Sequence, residues 1–204
     1  MSRSDPGPGH TPLVSVVVVN YNGADALGRC LDALIADADD ASAEVLVVDN
    51  ASSDGSDSIA EGAAEGYESV RLLRSPTNRG YAGAVNFALR EARGAYVAVL
   101  NMDVVVTPGW LDPLISFLEA VPAAGAVCPL ILLESDPGRI NAAGQNVHPT
   151  GLGFNRWLDE PRERAGGEPF RVSGLHGAAF LIRRQLLEEI GGWNESGFLY
   201  HEDV

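Results

Sequence analysis

An open α/β sheet with helices on both faces is the fold class this sequence predicts. Three observations carry that reading. Apolar, β-branched runs of strand length alternate with segments of helical period, four times within the first ~110 residues. The first run, residues 14–19, is apolar at all but one position, as a strand buried on both faces of a parallel sheet requires. Polar or acidic residues stand where successive strands end.

The elements follow in order. Pro12 and Asn20-Tyr21-Asn22-Gly23 bracket the first strand, and residues 1–12 read as a flexible tail. Leu27, Cys30, Leu31, Leu34 and Ile35 recur at three-and-four spacing and predict a helix with Arg29 and Asp32 on its wet side. Residues 44–48 predict a strand ending in Asp49-Asn50, and Asp54 is placed to cap a helix over 55–65. A short strand over 70–73 precedes a helix over 81–93 that turns Ala84, Val85, Ala88 and Leu89 inward. Residues 96–100 predict the fourth strand, closing on Asn101-Met102-Asp103. Thr107-Pro108 starts a helix over 110–121, and residues 126–133 read as one further strand. From 134 to 171 Gly, Pro, Asn and charged residues predict irregular loops or a short hairpin, a length that usually serves function. A strand over 178–182 and a helical turn over 185–190, stopped by Gly191-Gly192, complete the pattern.

Composition narrows the chemistry. At 204 residues and 21.5 kDa the chain is one domain in scale, and 46% hydrophobic residues suffice for a core. A net charge of −14 argues against nucleic acid as a partner and against a polybasic membrane anchor. All 14 basic residues are arginine, so Schiff-base chemistry and a phosphate-loop lysine are both excluded. Cys30 and Cys128 sit in apolar stretches and read as buried hydrophobes. The first 11 residues do not resemble a signal peptide, and no apolar run approaches the length of a membrane span, which predicts a cytoplasmic protein.

Ligands of open α/β sheets bind outside the carboxyl ends of the strands. Those ends carry Asn20, Asp49, Asn101 and Asp103, residue types that also serve in caps and turns. No Gly-x-Gly-x-x-Gly follows the first strand, which argues against a dinucleotide. Arg79, in Asn78-Arg79-Gly80 at a helix start, is placed to meet a diphosphate. Asp103 is a hard-oxygen ligand suited to Mg²⁺ or Mn²⁺ bound jointly with phosphates.

Six blocks then fall in register: Val16-Val17-Val18-Val19-Asn20-Tyr21-Asn22; Val47-Val48-Asp49-Asn50-Ala51-Ser52-Ser53-Asp54-Gly55-Ser56; Asn78-Arg79-Gly80-Tyr81-Ala82-Gly83-Ala84-Val85-Asn86; Leu100-Asn101-Met102-Asp103; Gly191-Gly192-Trp193-Asn194-Glu195; and Tyr200-His201-Glu202-Asp203. Together they resemble the family 2 glycosyltransferases of the GT-A fold, especially the rhamnosyltransferase-like branch. The resemblance covers residues 12–204 and implies a GT-A domain over 13–204, with a nucleotide-sugar half over 13–110 and an incomplete acceptor-side half over 111–204. It implies an inverting enzyme that moves a sugar from a UDP- or dTDP-linked donor to a glycan or lipid-linked acceptor. Asn20 and Asp49 would hold base and ribose, and Arg79 would lie beside the diphosphate. Asn101 and Asp103 stand at the Asp-x-Asp metal motif, with Asp103 its retained acid. Asp203, beside Glu202, would be the general base. His176 and Trp193 would lie on the acceptor side. The resemblance also implies truncation within the acidic motif and work at the inner membrane surface without an anchor. The reading from a different class is a non-catalytic nucleotide-binding module.

Overall fold

A computed structural model of the protein describes residues 11–37 and 43–196. The first half alternates strand and helix as expected: β1 (Val14–Asn20), α1 (Leu27–Asp37), β2 (Ala43–Asp49), α2 (Ser56–Gly66), β3 (Val70–Arg74), α3 (Gly80–Leu89), β4 (Tyr96–Asn101) and α4 (Leu111–Ala120). The second half is richer in short strands: β5 (Ala126–Val127), β6 (Ile131–Leu133), β7 (Asp136–Ala142), β8 (Gln145–Val147), β9 (Gly153–Asn155) and β10 (Ala179–Arg183), followed by α5 (Arg184–Ile190).

The central sheet has the order β3-β2-β1-β4-β10-β5. β3, β2, β1 and β4 run parallel, and β10 is antiparallel to both its neighbours. β1 is buried at all seven positions because alternate side chains feed two cores. Val14, Val16 and Val18 join the α1 and α4 residues Leu27, Leu31, Leu114 and Leu118 on one face. Val17 and Val19 join Ala84, Val85 and Ala88 of α3 and Leu187 of α5 on the other. The chain grows outward from β1 to β3, then returns to place β4 on the other side of β1. The strand order therefore reverses between β1 and β4, and a crevice opens at such a reversal.

Two expectations fail for physical reasons. The single strand expected over 126–133 is two strands in different sheets, with β5 on β10 and β6 on β7. Pro129, which has no N–H for a ladder, stands between them. The helix expected to reach 93 stops at Leu89, because the chain must turn back to begin β4. There the Ser15 hydroxyl receives the backbone N–H groups of Arg93 at 3.0 Å and Gly94 at 2.8 Å.

That hydroxyl belongs to a buried polar cluster at the amino edge of the sheet. Ser15 donates to Glu44 Oε1 at 2.8 Å, while Glu44 Oε2 receives Arg93 Nε at 2.9 Å and Arg71 at 3.2 Å. Burial alone would push the Glu44 carboxyl up; the hydrogen bonds from Arg93 and Ser15 outweigh it and hold the group below its ordinary value of 4.5. A carboxylate whose folded value is depressed stabilises the fold above about pH 4.5, and that contribution fades as pH falls through the folded value. Glu44→Gln should therefore cost about 3 kcal/mol at neutral pH in urea unfolding. The gap between variant and parent should close as pH drops below 4.5.

Candidate active site

The parallel register aligns Asn20 with Asp49 and Val19 with Asn101, which gathers the polar strand ends along one edge. The Asn20 side chain is fully buried. Its amide nitrogen points at three acceptors: Asp49 Oδ1 at 3.2 Å, Ser52 Oγ at 3.1 Å and Ser56 Oγ at 2.9 Å. Asn20 Oδ1 is buried without a hydrogen-bond partner. It faces Gly23, where an added Cβ would lie 2.6 Å from it and 2.3 Å from Met102 Sδ. Only glycine fits there, so the loop after β1 lies flat against the loop after β4.

Side-chain amides and hydroxyls fasten the neighbouring loops. Asn22 Oδ1 receives the Ser53 N–H at 2.8 Å, and Ser52 Oγ receives the Asn22 N–H at 3.1 Å. Asp54 Oδ1 receives both the hydroxyl and the N–H of Ser56, and its Oδ2 receives the Ala24 N–H at 2.9 Å. These bonds hold the Asp54 carboxyl below its usual range, the Ser56 hydroxyl contributing most. Asp54 thus acts at the start of α2, as expected, and also ties that turn to the loop after β1.

Asn50 does the same between β2 and α3. Its Nδ2 donates to Asn78 Oδ1 at 3.0 Å and to the Gly80 carbonyl, and its Oδ1 receives the Arg79 N–H at 2.9 Å. Asn78 Oδ1 also receives the Gly80 N–H. Two of the N–H groups that could meet an anion at the start of α3 are therefore already bonded to asparagine. The Arg79 guanidinium donates through Nε to Ser75 Oγ at 2.9 Å and lies over the Phe87 ring, 5.1 Å from its centroid.

Asp103 is exposed just beyond β4. Beneath it, burial first and the negative charge of Asp103 second push the Cys30 thiol up to about 12, which keeps it protonated and inert. Among the described residues no group of three or more His, Cys, Asp or Glu could hold a metal ion. One accessible carboxylate beside Asn101 fits Mg²⁺ or Mn²⁺ of the kind that arrives with phosphates and keeps waters, not one in an all-protein cage.

The two residues expected on the acceptor side, His176 and Trp193, lie in segments hydrogen-bonded to α3. Tyr81 donates to the Gly177 carbonyl at 3.0 Å, and His176 Nδ1 receives the Ala178 N–H at 3.2 Å. Trp193 lies 5.8 Å from Phe180 between ring centroids, against the α3–α5 core. Asn86 grips its backbone: Nδ2 donates to the Trp193 carbonyl at 2.9 Å and to Glu195 at 2.8 Å, while Oδ1 receives the Trp193 N–H at 2.9 Å. Gly192, at φ 83, leaves room for that grip, since a Cβ would sit 2.6 Å from Asn86 Oδ1. Glu202 and Asp203 lie outside the described residues. Sequence reasoning gave no role to Asn22, Asn50 or Asn86; their signal was the recurrence of asparagine just after strands and on the small-residue helix.

A model of glycosyl transferase family 2 matches residues 15–191. The N-acetylglucosaminyl-diphospho-decaprenol L-rhamnosyltransferase of Mycobacterium tuberculosis is 33% identical over 215 residues, covering 95% of this chain and 69% of that protein. Among solved structures, the mannosyltransferase PcManGT from Pyrobaculum calidifontis, in complex with GDP-Man and Mn²⁺, superposes with a TM-score of 0.65 at 26% identity. The match covers 94% of this chain and 50% of that one. S. aureus TarS in complex with UDP gives 0.62 at 18% identity, with 93% and 52% covered, a likeness of fold alone. The architecture is thus the GT-A arrangement, and the chain spans about half the length of these solved structures.

The Asn86 grip has a direct test. Asn86→Ala should lower stability by about 1–3 kcal/mol by leaving the Trp193 backbone unpaired. Hydrogen exchange at the Trp193 amide should accelerate well beyond that of the β1 amides.

Proposed function

The chain belongs to glycosyl transferase family 2, and on that premise we propose that it serves an inverting transfer of a sugar from a UDP- or dTDP-linked donor to a glycan or lipid-linked acceptor. The observation that carries this reading is the juxtaposition, at the β1–β4 reversal, of the Asn20–Asp49 pair with the exposed carboxylate of Asp103. A nucleotide and its diphosphate need those two neighbouring chemistries. The lipid-linked acceptor is supported by the mycobacterial relative, whose name specifies a diphospho-decaprenol acceptor.

Asn20 and Asp49 would hold base and ribose: Asp49 accepts on the oxygen that Asn20 leaves free, and the buried Asn20 amide fixes its orientation. Arg79 would serve the diphosphate by leaving Ser75, its hydroxyl partner. Asp103, with Asn101 beside it, would hold Mg²⁺ or Mn²⁺, whose contribution is to neutralise charge on the departing diphosphate. His176 and Trp193 would border the acceptor. Asp203, with Glu202 next to it, would take the proton of the acceptor hydroxyl as that oxygen bonds to the anomeric carbon. The bond from that carbon to the diphosphate oxygen breaks on the opposite face, its electron pair leaves with the nucleoside diphosphate, and the configuration inverts.

Titration calorimetry with UDP, dTDP and GDP, each with and without Mn²⁺, tests the donor half. One nucleotide should bind more tightly with metal, and Asp103→Ala should remove about tenfold or more of that gain. No binding of any of the three nucleotides by the folded chain would overturn the donor site as placed here, and binding without transfer would favour the non-catalytic nucleotide-binding module. In a transfer assay, Asp203→Asn should lower kcat by ~10²–10⁴ while donor binding stays unchanged.

A further inference from the structure

The loop that carries Arg79, between β3 and α3, is fastened to the end of β2 at two points. Beyond the strands the backbone ladder continues: the Asn50 N–H donates to the Asn20 carbonyl and the Ser75 N–H to the Asp49 carbonyl, each at 2.9 Å. Asn20, Asp49, Asn50 and Ser75 are all buried and form one body through these bonds. Ser75 is the first fastening. Its hydroxyl donates to the Thr77 carbonyl at 2.7 Å and receives Arg79 Nε.

Asn50 makes the longer reach. Asp49 and Asn50 are adjacent, yet Asp49 receives the Asn20 amide while the Asn50 side chain crosses to residues 78–80. Its Nδ2 has two acceptors there, Asn78 Oδ1 and the Gly80 carbonyl, and its Oδ1 receives the Arg79 N–H. Aspartate in this place would set a negative charge against two acceptors, and glutamine would add a methylene to a buried site. The turn itself lies off the helical path, with Gly80 at φ 70, so these bonds and not the helix hold it. The Arg79 backbone is thus fixed from β2, while its side chain, on an exposed residue, rests on one hydroxyl and one ring.

We infer that Asn50 is a positioning residue. It sets the span from the Asn20–Asp49 pair to Arg79, and thereby the affinity that a nucleotide's second phosphate adds. The inference rests on the donor reading proposed above and deepens it. Asn50 acts through Arg79 and not on the ligand. Its bonds order the Arg79 loop before a donor arrives, so the ordering cost does not fall on binding. They also place a guanidinium whose hold on phosphate depends on direction. The nucleoside is held elsewhere, by side chains to which the Asn50 side chain makes no hydrogen bond.

Calorimetry on the full chain with nucleoside, monophosphate and diphosphate tests this, in the uridine and thymidine series with Mn²⁺ throughout. In the parent the diphosphate should bind more tightly than the monophosphate, and Arg79→Ala should lower that ratio. Asn50→Ala should lower it about tenfold, while affinity for nucleoside and monophosphate stays within about twofold. In the Arg79→Ala background Asn50→Ala should change the ratio no further, because a residue that acts through another is silent once the other is gone. If circular dichroism shows that Asn50→Ala does not fold, Asn78→Ala, which removes one of its acceptors at a less buried position, should give the same selective loss. Equal losses for all three ligands, or a loss that persists without Arg79, would overturn the inference. So would a ratio that rises, since Asn50 would then be withholding the Arg79 N–H from phosphate. A parent that binds no nucleotide, or an Arg79→Ala variant with an unchanged ratio, would overturn the donor reading itself and the inference with it.

Discussion

The candidate site depends on the register of β1 against its two parallel neighbours. Val16 through Val19 are matched to Val45 through Val48 on one side and to Ala98 through Asn101 on the other. That match is over-determined, because both faces of β1 are buried. A slip by one residue would exchange the side chains of the two cores and carry Asn20 away from Asp49. The hydrophobic effect, which has no direction of its own, thereby fixes polar atoms to within hydrogen-bonding distance. Burying valines in β1 is worth ~1.5–3 kcal/mol each, so several would have to be lost before the polar edge could rearrange.

Above that edge, fastening passes to asparagine. Asn22, Asn50, Asn78 and Asn86 each bond backbone groups of a loop far from them in sequence or beside them at a helix start. An amide supplies donor and acceptor from one rigid plane and carries no charge, so it clamps a loop without altering the field a charged ligand meets. The ion-paired arrangement lies at the opposite edge, where Glu44 meets Arg71 and Arg93. Paired charge therefore anchors the amino edge of the sheet, and asparagine clamps, with the Asp54 carboxylate beside them, shape the carboxyl edge.

This division explains what could be read from the sequence. The sheet was legible because its strands are unbroken apolar runs and its helices have clean apolar stripes, as at Leu27, Leu31 and Leu34. Asn20 and Asp49 were legible because a strand end is a position one can count to. β7, β8 and β9 were not, since Gly138, Asn146 and Gly153 sit in strands that pair in the open with one face in water. The Asn86 grip on Trp193 spans 107 residues and leaves no periodic trace. The second role of Asp54 was hidden for the same reason: a cap is local, whereas its bond to Ala24 crosses between loops.

A surplus of 14 negative charges and a diphosphate ligand make an unlikely pair unless positive charge is supplied locally. The chain has no lysine to supply it. The first N–H groups of α3 are committed to Asn50 and Asn78, and Arg79 is held by Ser75 and Phe87. What the carboxyl edge does offer is the exposed carboxylate of Asp103, which would repel a bare diphosphate and attract one carrying a divalent cation. On the proposed reading, discrimination follows from that sign: the site favours the metal complex of a nucleotide over the free anion. On that reading a second carboxylate at position 101 would hold a divalent cation more tightly, and the uncharged Asn101 would leave Asp103 as the one acid of the pair to hold it.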